Sequence, residues 1–223
     1  MHFLCTFHIK LQTNMDHIQN WTSEQKMKIN EKKTKLMIFN ETYNYQFSTR
    51  IYIKDILLDI IQETKLLGIV LTSNLDWKEN TSMIIKKSYS RMEILRKLFK
   101  FNVPIADFLT IYIIYIRSYL EQSCVVWHAS LSEENSNSLE RVQKIALMIM
   151  LKEGYISYQN ALEKTELKLL SSRREDLCLE FAKSCTQNEK AKSMFPLNDI
   201  TEIQLDIEKN TKLYQVHIKD CKT

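Results

Sequence analysis

The chain has 223 residues, of which 44% are hydrophobic and 26% charged; this excludes a disordered polymer and leaves room for one large or two small cores. Its net charge of +4 is unevenly spread: residues 1–125 carry 17 Lys/Arg against 12 Asp/Glu, or +5, and the remainder 14 against 15, or −1. A polyanion would therefore be met by the front half.

Two glycines and two prolines allow few Gly-dependent turns and favour long helices. Five cysteines, Cys5, Cys124, Cys178, Cys185 and Cys221, form no Cys-x-x-Cys pair. An odd number without a secretory signal reads as reduced thiols in an intracellular protein, nuclear or cytoplasmic. Residues 1–12 lack the basic n-region of a signal peptide, and sequons at Asn20, Asn40 and Asn80 carry no meaning without export. The longest apolar run, Phe108 to Ile116, falls short of the roughly 20 residues a membrane span needs. No membrane partner and no small-molecule substrate is expected.

In chain order, the segment from Asn14 predicts a helix ending near Lys28. Asn14 or Asp16 is the expected cap, and Ile18 and Trp21 share one face. The period then shortens. "TKLMIFN", "TRIYIKD", "ILLDII" and "TKLLGIVLT" predict short strands of a small antiparallel sheet, with Lys54-Asp55 as a hairpin turn. Gly68 sits inside a strand pattern, which marks a bulge or a close backbone approach.

From Trp77 onward the pattern is helical. Over about Glu79 to Phe101, Ile85, Met92, Leu95 and Phe99 share an apolar side, and Lys86, Arg96, Lys97 and Lys100 form a stripe beside it. Lys87 and Arg91 flank the other edge, and Glu93 is the only acid between Met83 and Phe101. Asn102 and Pro104 open a second, nearly all-apolar helix over 104–128. A third starts at Ser132 to Glu134 and breaks at Gly154. Shorter helices follow, "SSRREDLCLEFAKSC" being the clearest, and the tail 197–223 is expected to be loosely ordered.

Trp21, Asn30, Lys33, Thr34, Lys35, Met37 and Phe39 form the pattern W-x₈-N-x-x-K-T-K-x-M-x-F. It is followed by "KLLGIVL", "LDW", "IKKSYSRMEILRKL", "IYIRSYLEQSCVVWHASL", "LERVQKIAL" and "SSRREDLCLEFAKS". This succession, over about residues 14–196, resembles the C-terminal half of reverse transcriptases of non-LTR retrotransposons, the jockey-like mobile-element polymerases. No single piece is specific; the order carries the resemblance.

The resemblance implies an α+β, predominantly α fold, with a small antiparallel palm-remnant sheet followed by a thumb-like helical bundle. The implied division is a palm remnant over 1–75, a thumb-like domain over 76–152, a helical extension over 153–196 and the tail. It places Lys33 near the incoming nucleotide, Leu66, Leu67 and Gly68 at the primer grip, and the helices after "LDW" against the template–primer duplex. The family's chemistry uses two magnesium ions about 3.5–4 Å apart, held by converging carboxylates. This chain has no Asp-Asp dipeptide, and Asp16 is single.

The expectation is therefore a truncated, non-catalytic reverse-transcriptase fragment with no cofactor. Its partner would be RNA or DNA backbone, held weakly and without sequence preference through Lys33, Gly68, Lys86, Lys87, Arg91, Arg96, Lys97 and Lys100. The alternative is a helical protein-interaction module or an inert remnant of the element. Single residues also carry two readings. Lys33 either faces phosphate or is a solvated strand-edge lysine. The Lys86 stripe either contacts nucleic acid or is a solvated helix face. Trp21, Trp77 and Trp127 read as core anchors rather than stacking platforms, and Arg173-Arg174 as local partners of Glu175-Asp176. Cys178, Cys185, His217 and Cys221 lack compact zinc spacing, so no metal is expected. No histidine is followed two residues later by an acid, which excludes the non-haem iron triad. His128 reads as structural.

Overall fold

The computed structural model describes residues 2–39, 50–101 and 103–194, so the tail, Asn40, Asn102, His217 and Cys221 lie outside the described residues. The chain is α+β and predominantly helical. It divides into two compact units, residues 1–80 and 81–223. Among the described residues, no helix is long and apolar enough to cross a membrane.

The first unit opens with α1, His2–Glu24. Its start lies far upstream of the expected caps, so Asp16 sits mid-helix, where its carboxylate accepts from Gln12 Nε2 at 2.8 Å. Leu11 and Met15 of α1, with Ile29 and Leu36, pack on a core of Ile51, Ile53 and Leu58. Ile18 and Trp21, further along α1 and close to the same side, are both exposed. Trp21, at 55% exposure, is thus not a core anchor, whereas Trp77 and Trp127 are buried.

Six short strands follow: β1 Leu36–Met37, β2 Tyr52–Ile53, β3 Ile56–Leu57, β4 Ile60–Ile61, β5 Glu63–Leu66 and β6 Ile69–Thr72. In place of one antiparallel sheet they form three pairs, β1 with β4 in parallel, and β2–β3 and β5–β6 antiparallel. The parallel pair exists because the Lys54-Asp55 turn, with φ of 46° and 66°, folds β3 back on β2 and frees the next residues to run beside β1. Asp59 fixes that register twice. Its carbonyl accepts Leu36 N–H at 3.0 Å, and its carboxylate pairs with Lys35.

Gly68, expected inside a strand, is instead half of a two-residue hairpin loop. Leu67 and Gly68, at φ 49° and 91°, supply the two positive φ values that a type I′ connection requires. Beyond β6, Asp76 accepts the Lys78 N–H at 2.9 Å, capping α2, Lys78–Leu98. Asn80 is buried and accepts the Val70 N–H at 3.1 Å, so that sequon is sterically closed.

The second unit continues through α2 into a 3₁₀ turn, Phe99–Phe101. The expected single helix over 104–128 is broken into α3 Ile105–Ile111, a π-helical segment Tyr112–Arg117, α4 Ser118–Leu120 and α5 Cys124–Trp127. Two causes are visible. Phe108, Tyr112, Ile116 and Leu120 are all buried at strict four-residue spacing, which would drift about 40° per step on a 100° α-helix. The wider π turn counteracts that drift and holds the four on one face. At Ser123 the backbone is left-handed, φ 53°, and the helix stops and restarts.

Next come α6 Glu133–Leu151, α7 Tyr158–Thr165, α8 Leu170–Gln187 and α9 Glu189–Met194. Ser132 caps α6 by accepting Asn135 N–H at 3.2 Å. The α6 stop falls on Lys152, at φ 44°, ahead of the expected Gly154.

A buried polar network ties these helices together. Gln143 accepts the Tyr112 hydroxyl at 2.7 Å and donates to Lys168 O at 2.9 Å and Tyr158 Oη at 3.0 Å. Glu140 accepts the Tyr158 hydroxyl and both the Leu170 and Ser171 N–H groups, at 2.9 and 3.0 Å, and so caps α8. Burial raises the Tyr112 hydroxyl pKa well above its usual value, and burial with the Glu140 carboxylate does the same at Tyr158. Both remain hydrogen-bond donors at physiological pH.

Candidate nucleic-acid interface

Helix α2 is oriented by what it buries. Ile84, Ser88, Met92 and Leu95 are buried, one half-turn from Lys86 and Lys97, which stand about three turns apart on the same outer line. Ile85 is only half-buried, and the Phe99 side chain lies outside the described residues. The cationic row is therefore opposite the core, a position more outward than the sequence pattern implied. It extends roughly 16 Å from Lys86 to Lys97 at 1.5 Å per residue, with Lys100 beyond it in the 3₁₀ turn.

The six cations of this segment divide by engagement. Lys86, Lys87, Lys97 and Lys100 are exposed, and among the described residues no carboxylate lies within ion-pairing distance of them. Arg96 is paired with Glu93 one turn earlier, which neutralises part of the row. Arg91 is held internally. Its guanidinium lies over the Tyr119 and Tyr115 rings, 4.4 and 4.8 Å from their centroids, and donates to Tyr115 O at 2.7 Å. Lys87 approaches the Tyr119 ring at 5.5 Å. Arg91 thus clamps α2 to the π-helical segment and sets where the lysines point. Tyr115 and Tyr119 are the residues the sequence reading missed. Their four-residue spacing matches that of Lys87 and Arg91, and that was the available signal.

Lys33 and Gly68 belong to the first unit. Lys33 is exposed and sits in the turn before β1, not on a strand edge. Its N–H donates to both Asn30 O and Asn30 Oδ1, at 3.1 Å each, and Thr34 Oγ1 donates to Asn30 O at 2.9 Å. The Asn-x-x-Lys-Thr stretch is thus a side-chain-closed turn. Among the described residues no carboxylate neutralises the Lys33 ammonium, while Lys35 is spent on Asp59. Gly68 lies in the β5–β6 loop, and β5–β6 shares no ladder with β1–β4.

The paired arginines of α8 behave differently from the local ion pairs expected of them. Arg173 Nε reaches Glu121 at 3.4 Å, and Arg117 Nε reaches the same carboxylate at 3.3 Å. Arg174 is fully buried and donates to Ser136 Oγ at 3.1 Å and His128 Nδ1 at 3.4 Å. Asp176 turns back to Lys168 instead. Among the described residues no cluster of three metal-ligating side chains occurs; Cys178 is buried and Cys185 half-buried on α8.

What the α2 row can do chemically is limited and clear. Exposed ammonium groups on long stems attract phosphate oxygens through charge, carry no base-reading geometry, and act in proportion to the number of phosphates met. No protein-family model matches the chain, and no curated protein or solved structure was found to be significantly similar to it.

Proposed function

We propose that the chain binds the sugar–phosphate backbone of RNA or DNA through the outer face of α2, without base readout and without catalysis. One observation carries this reading: Lys86, Lys97 and Lys100 stand exposed along one line with no carboxylate partner among the described residues. Lys87 stands beside them. The order of sequence motifs supports it, since it aligns α2 with the thumb of retroelement reverse transcriptases and the preceding strands with the palm. The residues present support the non-catalytic part of the proposal. Two-metal nucleotidyl transfer needs converging carboxylates, and the one acid near the expected position, Asp16, is committed to glutamines of its own helix.

Binding of this kind is weak, with a dissociation constant on the order of 10⁻⁴–10⁻⁶ M at physiological salt. The test is a salt titration by fluorescence anisotropy with a single-stranded RNA and a DNA duplex of unrelated sequences. In Lys86→Gln/Lys97→Gln, affinity should fall equally for all sequences, and the slope of log affinity against log salt should flatten by roughly 0.7–0.9 per lysine. The control is Lys144→Gln/Lys183→Gln, which removes the same charge from exposed positions on α6 and α8. Equal losses in the two variants, or a wild-type chain that shows no salt-dependent binding, would sink the proposal and leave the interaction-module reading in its place.

A further inference from the structure

Arg174 is a cation with no exposed surface, and among the described residues its Nη1 finds no hydrogen-bond partner. Its other nitrogens meet two neutral acceptors, Ser136 Oγ and His128 Nδ1, and its guanidinium faces the Trp127 ring at 5.8 Å. Among the described residues no carboxylate pairs with it. Glu121 is engaged by Arg117 and Arg173, and Glu140 by the start of α8 and Tyr158. A buried charge without a directly paired counterion is costly; Glu140 and Glu121 offset it only through space, so the other groups nearby that can become anionic take on importance.

Those groups are two thiols, and the helix register places them together. His128 immediately follows α5, and Cys124 lies one turn before it on the same face. Arg174 is on α8, and Cys178 lies one turn after it. The two helices pack on each other, and the His128–Arg174 hydrogen bond sets their alignment. Continuing one turn in opposite directions from that bond sets Cys124 against Cys178. Both thiols are buried, at 2% and 7% exposure. The neighbouring Cys178 thiol and, after it, the charge of Arg174 pull the Cys124 thiol pKa down, while the same thiol contact pushes Cys178 up.

We propose that Cys124 and Cys178 form a peroxide-oxidisable dithiol, with Cys124 as the attacking thiolate, Cys178 as the resolving thiol and Arg174 as the charge that orients the pair. In the first step the Cys124 sulfur lone pair attacks one oxygen of hydrogen peroxide and the O–O bond breaks. The departing hydroxide takes up the proton that Cys124 lost, giving water and a sulfenic acid. The Cys178 sulfur then attacks the Cys124 sulfur, the S–O bond breaks, and a second water leaves with the Cys178 proton. Two thiols and one peroxide yield one disulfide and two waters, with sulfur oxidised and peroxide oxygen reduced. Burial selects the oxidant: peroxide is nearly as small as water, whereas a bulky disulfide has no approach to either sulfur. The product staples α5 to α8.

The test treats the full chain with hydrogen peroxide, with free glutathione in a parallel tube to prove the oxidant active. Remaining thiols are alkylated under denaturing conditions and the peptides are mapped without reduction. The expected product is a Cys124–Cys178 linked peptide that dithiothreitol reverses, while Cys185 stays alkylated. Oxidised glutathione over the same interval should leave the pair reduced. In Cys178→Ser, dimedone should trap a sulfenic acid on Cys124; in Cys124→Ser, Cys178 should remain unlabelled. The closed form should melt on the order of 5 °C higher than the reduced form. Three results would each overturn the proposal: Cys124 still alkylated after the glutathione is consumed, a disulfide that uses Cys185, or equal dimedone labelling of Cys178 in Cys124→Ser.

Discussion

His128 accepts the Arg174 Nε–H through its Nδ1, a bond only the neutral ring can make. Burial first, and the Arg174 charge second, hold its pKa below the usual 6.5. The unfolded chain binds a proton here on acidification through about 6.5, and the folded chain resists doing so. Stability from this site is therefore full above pH 6.5 and is lost as pH falls toward the depressed folded value. Thermal midpoints should be flat near neutrality and decline below about pH 6.5. His128→Asn keeps an acceptor and removes the titration, so its midpoint should hold level through that window, where wild type declines. Parallel curves for the two proteins would show that His128 is not the group responsible. The same residue illustrates what a sequence discloses. A lone histidine after Trp127 was readable as structural, but its partner, Arg174, is 46 positions away and was assigned to its own neighbours. Pairing across helices depends on how they pack, and local charge order does not reveal it.

At the scale of elements, the β5–β6 loop carries a correctable flaw. Leu67 is 89% exposed and held at φ 49°, a left-handed conformation that disfavours a side chain branching at this size. Asparagine tolerates that region and is the preferred partner of glycine in such loops. Leu67→Asn should stabilise the chain by about 0.5–1 kcal/mol, measured as a higher urea midpoint at unchanged slope. A lower midpoint would show that Leu67 is held by contacts stronger than its strain.

The Lys54-Asp55 hairpin was legible because two polar residues interrupt two apolar runs. The Leu67-Gly68 hairpin was not, because "LLGIVL" carries no polar residue and period alone cannot locate a turn inside it. The parallel β1–β4 pair was likewise hidden, since a register fixed by Lys35 and Asp59 leaves no local mark. In α2 the row of lysines was readable from spacing and acid scarcity, but its place opposite the core was not. The Tyr115–Arg91–Tyr119 stack that aims it joins segments far apart in sequence.

For the whole molecule, core material is unequally shared. Among the described residues of the first unit, the buried hydrophobic side chains are Ile51, Ile53, Leu58, Val70 and Trp77, while those from Ile84 to Cys178 furnish a larger set bound by the Gln143 and Glu140 network. Local opening follows the density of buried contacts. Amide hydrogen exchange should accordingly be fast over β1 to β4 and slowest in α6 and in α3 with its π-helical continuation; the reverse ranking would contradict this distribution of stability. The first unit nevertheless has one protection that its small core does not suggest. Gln12 receives the Tyr52 N–H at 2.9 Å and donates to the Tyr52 carbonyl at 3.1 Å, and Gln19 receives the Lys54 N–H at 3.2 Å. Two glutamines of α1 thereby occupy the outer rim of β2 as a neighbouring strand would. An open rim recruits other copies of a chain into intermolecular sheets. At β2 the hydrogen-bonding capacity for such recruitment is already consumed by side chains, so the helix serves as a guard against aggregation as well as a packing partner.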